Sequence, residues 1–365
     1  MQRPIVVVGG ANIEYILKSD RAIERGSKNF VDIEEHYGGS GVNYTLRLLS
    51  AGYPVYPLLF LGNDSVGREI RSLLLERLSP SMTSLRQFIE DDAFFVPHLT
   101  TPRSTIIVEG HHRTILSQDL NDQNLFRPFI EKRFGQIGDT VSVIIGHIHN
   151  DRLIEAEDIS SLSTSFTISY FRERGSLIYL NMGATQLRYG FDFWKPYLKK
   201  VDFIQQNYHE YRRLFAKKKE LPTLTEIVEH LVSLKINAII TLDKFGALAI
   251  TRSKPEQLFV LRPIDLGERF VDSTGAGDAF CAGMVASLRG ERNFTQDTFI
   301  DALKLARSWA VYACLSYGGA NLCPSREEID TFHKELQNGN SVAVYKNESM
   351  QDLLALLDAT IPKTD

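Results

Sequence analysis

The sequence predicts an α/β protein with a central, mostly parallel sheet, helices on both faces, and a small second sheet. Three observations carry that prediction. Short apolar runs recur along the chain with amphipathic stretches between them, as expected for strands buried on both faces and joined by crossover helices. Two segments, 13–36 and 93–118, break the alternation with strand-like text of their own. The 365 residues, 43% hydrophobic and 24% charged, are enough for one large core.

In chain order, residues 5–8 form the first buried strand, followed by 55–61, 143–145, 177–180, 203–204, 238–242 and 248–250. Helical spacing falls at 42–50, 67–78, 223–234, 278–289 and 295–316. Ligands of open parallel sheets bind beyond the carboxyl ends of the strands. Asn12, the residues near His147, Asn181, Asn207 and Asp243 each follow a strand-like run and are candidates for one shared cleft. Residues 104–116 read as a hairpin. Segments 13–36 and 93–118 either pair into a lid over that cleft or form two surface hairpins. The expected division is 1–12, 37–92 and 119–340 as the core, 13–36 and 93–118 as the β lid, and 341–365 as a polar C-terminal extension with one amphipathic piece at 350–357.

A net charge of -4 predicts no nucleic-acid partner, and the run 217–219 of three lysines reads as a solvated helix end. No apolar run has membrane length and the first residues lack a signal-peptide pattern, so no membrane partner and a cytoplasmic location are expected. Cys281, Cys314 and Cys323 have no metal-site spacing and read as reduced thiols.

The most informative stretch is Asp272-Ser-Thr-Gly-Ala-Gly-Asp278-Ala-Phe280. It reads as a strand end, a small-residue turn and a helix start. The N–H groups of Gly275, Ala276 and Gly277 make a cradle for an anion. Asp278 stands where that anion meets a second reactant, placed to take a proton from a hydroxyl. The alternative is an ordinary glycine-rich helix entry with an acid near its positive end. The common phosphate loop G-x-x-x-x-G-K-[ST] is absent, and the turn after residues 5–8 lacks G-x-G-x-x-G spacing, which argues against a dinucleotide site.

A second glycine motif, Gly38-Gly39-Ser40-Gly41-Val-Asn43, permits a tight turn close to a polyhydroxylated ligand. Asn43 offers a donor and an acceptor to a vicinal diol, or else caps the following helix. Asn207 and Glu210 share a face of a helical first turn, where the Glu either holds the water shell of Mg²⁺ or completes a capping box. His147 and His149 follow a strand on one face. A zinc pair lacks a third ligand, and a substrate hydrogen bond from His149 is the better expectation.

These motifs, in this order and far apart, resemble the two signatures of the ribokinase-like, PfkB-type carbohydrate kinases, a resemblance covering most of residues 5–330. The resemblance implies the ribokinase-like fold, ATP and Mg²⁺, and transfer of the γ-phosphoryl group to a hydroxymethyl group of a sugar or sugar-like acceptor. It implies Asp278 as general base and the Gly275, Ala276 and Gly277 amides around the transferred phosphoryl group. Asn12, Glu14, Gly39, Ser40 and Asn43 would contact the acceptor. Glu14 stands where the family usually has Asp, which speaks for an acceptor other than plain ribose. Asn207, Thr241, Asp243, Gly246 and Gly319 would lie at the nucleotide, with Glu210 on Mg²⁺ through water. The resemblance also implies, for many members, a monovalent cation such as K⁺ near Asp272, with backbone carbonyls from 317–320, and a homodimer through the lid. A nucleoside kinase and a catalytically silent ligand sensor are the alternatives.

Overall fold

The N-terminal apolar run becomes an inner strand of a large sheet. The computed structural model describes residues 3–19, 21–109, 112–118, 125–148, 151, 153, 158–216, 220–336 and 341–362, and forms β1 (Ile5–Gly10) with every residue buried. The next strands are β2 (Asn12–Ser19), β3 (Asp32–Gly38), β4 (Val55–Phe60), β5 (Arg103–Glu109) and β6 (His112–Ser117). They are followed by β7 (Ser142–Ile145), β8 (Leu177–Leu180), β9 (Phe203–Asn207), β10 (Asn237–Thr241), β11 (Ala247–Thr251), β12 (Lys254–Leu261) and β13 (Val342–Lys346). The main sheet runs in the order β13-β12-β11-β10-β9-β8-β7-β1-β4. The pairs from β10 to β4 are parallel, and β11, β12 and β13 add an antiparallel edge. The β-branched and leucine-rich composition of β7, β8 and β10 suits strands covered on both faces.

The helices are α1 (Ser40–Ser50), α2 (Ser65–Glu76), α3 (Thr83–Glu90), α4 (Phe126–Phe134), α5 (Ser163–Glu173), α6 (Ala184–Leu187) and α7 (Gly190–Leu198). Beyond them lie α8 (Tyr208–Phe215), α9 (Leu224–Leu234), α10 (Ala276–Leu288), α11 (Gln296–Ala313), α12 (Arg326–Glu335) and α13 (Glu348–Thr360). Capping boxes start α8, α9 and α12, where a side-chain oxygen of Asn207, Thr223 or Ser325 takes an orphan N–H of the first turn. Helices α1, α10 and α11 pack in series, with α1 on β1 and β4, while α4, α5, α7, α8 and α9 form a second series that covers β7 to β10. The α10–α11 crossing is close because Gly283 has no side chain; a Cβ there would stand 2.7 Å from Ala306 Cα. Among the described residues no helix is long and apolar enough to cross a membrane.

The second sheet has the order β3-β2-β5-β6, with β2 and β5 parallel. Of residues 93–118 it takes in only those from Arg103 onward. Upstream, Phe94, Phe95 and Val96 are buried in the main core, so the lid boundary expected at 93 falls later. Apolar burial outweighs local strand-like text there. The C-terminal segment also differs from the expected appendage. Its β13 pairs with β12, Val260 opposite Ala343, and α13 packs on α9, so it closes the edge of the main sheet.

Candidate active site

The site is built where β1 ends and α1 begins. Gly39 holds φ at 91°, and a Cβ on it would lie 2.7 Å from the Gly10 carbonyl oxygen. Only glycine tolerates both the left-handed backbone and that approach. A Cβ on Gly41 would meet the same carbonyl at 2.8 Å. Helix α1 is thereby pressed against the strand end, and its Asn43 reaches across to the second motif. Asn43 Nδ2 donates to Asp278 Oδ2 at 2.7 Å, joining residues 235 apart in the chain.

Asp278 lies on the first turn of α10, after the left-handed Gly275 (φ 74°) at the N-cap. The Ala276 N–H is spent on the Ser273 carbonyl at 3.1 Å. The expected cradle of three amides therefore keeps Gly275 and Gly277, whose N–H groups have no hydrogen bond to a described residue. The turn is braced from the sheet. Gln205 Nε2 donates to the Gly277 carbonyl at 2.8 Å, and the Tyr179 hydroxyl donates to Gln205 Oε1 at 2.7 Å. Under Asp278 the environment is dry. Burial, then the Asp278 charge, push the Tyr44 hydroxyl and the Cys281 thiol well above their usual ranges, so both remain neutral there.

Asn12 is buried, with Nδ2 donating to Ser104 Oγ at 2.9 Å on β5, which ties the second sheet to the site. Asn12 Oδ1 and Asn43 Oδ1 are buried acceptors with no described partner. Two such orphans are costly unless a ligand's hydroxyls satisfy them. The Glu14 carboxyl lies across Gly38, where a Cβ would be 2.5 Å from its Cδ. The buried Ser40 Oγ accepts the His147 N–H at 2.9 Å, which ties the segment after β7 to α1 and leaves the hydroxyl proton to donate. His147 Nε2 meets Asn181 Oδ1 at 3.1 Å. Since β7 ends at Ile145, strand alternation does not extend to residue 147, and His149 lies outside the described residues.

Asn207 and Glu210 form the capping box. Asn207 N–H donates to Glu210 Oε2 at 2.9 Å, and Glu210 N–H donates to Asn207 Oδ1 at 2.8 Å. Glu210 also faces the centre: burial first, and Asp278's charge in addition, push its carboxyl above the usual range, against the pull of His147 and the Asn207 N–H. A carboxylate that feels Asp278 across the site in this way could hold the water shell of a divalent cation. Thr241 ends β10 half-buried, and Asp243 is exposed at φ 48°. Gly246 serves the β10–β11 turn, where a Cβ would stand 2.0 Å from the Leu261 carbonyl oxygen.

The groups expected around a monovalent cation are taken up within the protein. Asp272 Oδ1 accepts the Thr274 N–H and Oδ2 the Gly318 N–H, each at 3.1 Å. The Gly319 carbonyl accepts the guanidinium of Arg47. These residues fit K⁺ poorly, because the fixed charge of Arg47 on the Gly319 carbonyl repels a second cation at the same loop. Gln205, Arg47 and Tyr44 escaped the sequence reading. Arg47, a lone charge in the apolar run 46–49, was the one with a visible signal.

The family model described as pfkB family carbohydrate kinase matches residues 194–327, which include Asn207, Glu210, Asp272 and Asp278. This chain has the ribokinase-like fold, and its residues 194–327 resemble the pfkB family. The chain superposes on ribokinase from Giardia lamblia with a TM-score of 0.69 at 16% identity, covering 92% of this chain and 100% of that one. For ribokinase from Thermotoga maritima the TM-score is 0.65 at 18% identity, covering 91% and 99%. For Arabidopsis thaliana ribokinase complexed with ribose and ATP it is 0.61 at 18% identity, covering 92% and 99%. At these identities the likeness establishes the fold. An uncharacterized sugar kinase of Dictyostelium discoideum is 36% identical over 75 residues, and the chain spans 20% of the length of that curated relative.

Proposed function

We propose that this chain is an ATP-dependent kinase that phosphorylates a hydroxymethyl group of a sugar or sugar-like acceptor. The observation that carries the proposal is the pairing of Asp278 with Asn43 beside the open amides of Gly275 and Gly277. The Asp278 carboxylate takes the proton of the attacking hydroxyl. The two amides and the N-terminal end of α10 hold negative charge on the transferred phosphoryl group. Asn12 Oδ1 and Asn43 Oδ1 accept hydrogen bonds from acceptor hydroxyls, and Glu14 accepts another. The turn carrying Thr241, Asp243 and Gly246 flanks the nucleotide. Mg²⁺, when bound, neutralises phosphate charge, and Glu210 would hold it through water. Closure of the second sheet over the acceptor would exclude water from the reaction.

The sugar kinase named among the relatives and the ribose held by the Arabidopsis protein support a sugar acceptor. Glu14, with one methylene more than Asp, favours an acceptor other than plain ribose. A panel of pentoses, hexoses, polyols and nucleosides, assayed for ADP formation, should show weak ribose turnover. E14D should reorder the preferences rather than scale all rates together. Efficient ribose use with an unchanged order in E14D would contradict the role of Glu14. Nucleosides as the preferred acceptors would select the nucleoside-kinase alternative.

Glu210→Gln is expected to raise the Mg²⁺ concentration for half-maximal rate by roughly tenfold, the scale seen for residues that orient a metal's outer shell. A Mg²⁺ titration that overlays the parent's would reduce Glu210 to the helix cap it also forms.

A further inference from the structure

Arg47 lies on α1 one turn beyond Asn43, so the two side chains share a helix face. It is only 1% exposed and donates to the Gly319 carbonyl, 272 positions away. Gly319 in turn packs on the catalytic pieces. A Cβ on Gly275 would stand 2.7 Å from the Gly319 oxygen, and a Cβ on Gly319 would stand 2.5 Å from Asn43 Nδ2. Among the described residues Arg47 makes no ion pair. Two thiols, Cys314 and Cys323, feel the Arg47 charge, and burial pushes both up, Cys314 to about 11, so neither supplies a counter-charge. Cys314 also feels Asp272, whose oxygens are bonded to backbone N–H groups rather than to Arg47. A buried guanidinium without a carboxylate is costly unless an anion compensates it. The open amides at Gly275 and Gly277 mark where an anion would sit.

We propose that Arg47 is a built-in cation for the phosphoryl site. It positions the Gly319 carbonyl against the Gly275 turn and takes the electrostatic place that a monovalent metal ion would otherwise hold. Both Asp272 oxygens accept backbone N–H groups, so the loop is closed by protein donors alone. This inference rests on the kinase reading for its catalytic part, while its cation part stands without turnover. Arg47 acts through the turn and is a positioning residue.

Two arms test it. In the first, the melting temperature of the unaltered protein is followed as KCl replaces choline chloride at constant ionic strength, with and without ATP and Mg²⁺. The expected result is no K⁺-specific shift. In the second, turnover in the same salts should agree within about twofold. R47M should lower kcat by roughly tenfold or more with little change in acceptor KM, and R47K should recover most of the loss, as expected for a fixed charge beside a developing anion. A saturable K⁺-specific stabilisation, or K⁺ activation of several-fold, would overturn the proposal. So would a folded R47M with parental kcat. If R47M fails to fold, the salt arms on the unaltered protein still decide. If no acceptor is turned over at all, the kinase reading fails while the melting arm continues to test the cation claim.

Discussion

Replacing Asp278 with Asn is expected to lower kcat by about a hundredfold or more, the scale of losing a general base, while ATP still binds. The substitution keeps the size of the side chain and leaves an oxygen to accept the Asn43 Nδ2 hydrogen bond, now 2.7 Å. The Gly275 and Gly277 amides and the Gln205 brace at the Gly277 carbonyl are untouched. What disappears is the capacity to take a proton. Steady-state kinetics with ATP affinity measured by calorimetry separates the two effects. D278N with near-parental turnover would remove Asp278 from the chemistry.

The second large effect concerns stability. Asp64 caps α2 and also clamps the strand that leads into the second sheet. Its Oδ1 accepts the Gly67 N–H and the Thr101 hydroxyl, each at 2.8 Å, and its Oδ2 accepts the Thr101 N–H at 2.7 Å. Asp64→Ala loses the cap and leaves buried Thr101 without a partner for its N–H, so a loss of about 2–3 kcal/mol is expected in chemical denaturation. Burial pushes the Asp64 carboxyl up, but the bonds from Gly67 and Thr101 outweigh it and hold the carboxyl below the usual range. A carboxyl depressed in the folded state stabilises above its unfolded pKa of about 3.9 and loses that contribution as pH falls through the folded value. The gap between the parent and D64A should therefore be full at neutral pH and narrow below about pH 4. A gap that is small at pH 7, or that does not depend on acid, would contradict this account of the clamp.

Legibility in the sequence followed a physical division. Strands β1, β4, β7, β8 and β10 announce themselves because burial on both faces demands unbroken apolar text. The helix starts at α1 and α10 are visible because their turns need glycine. Helix α5 was missed: Ser163–Glu173 is rich in Ser, Thr and aromatic residues, a weak helical text that packing against β7 and β8 overrides. Helices α4 and α7 carry Pro128 and Pro196, which blur the helical signal. Strands β12 and β13 pair only at the antiparallel edge; β12 opens on Lys254-Pro-Glu-Gln, and β13 is a short, half-exposed run inside a polar tail. At the site, residues inside the two glycine motifs were legible because each motif carries its own geometry. The partners that hold the motifs in place were not. Gln205 meets Gly277 across 72 positions and Arg47 meets Gly319 across 272, and no local pattern encodes such contacts.

The central claim is that this chain transfers a phosphoryl group from ATP to a primary hydroxyl. Incubation with ATP, Mg²⁺ and the acceptor panel, with D278N as the blank, followed by ³¹P NMR of the products, tests it most directly. The account predicts ADP together with a new phosphomonoester, its signal coupled to two protons of a CH₂–O group, absent from the D278N reaction. ATP that persists with every acceptor, or that yields inorganic phosphate alone, would contradict it.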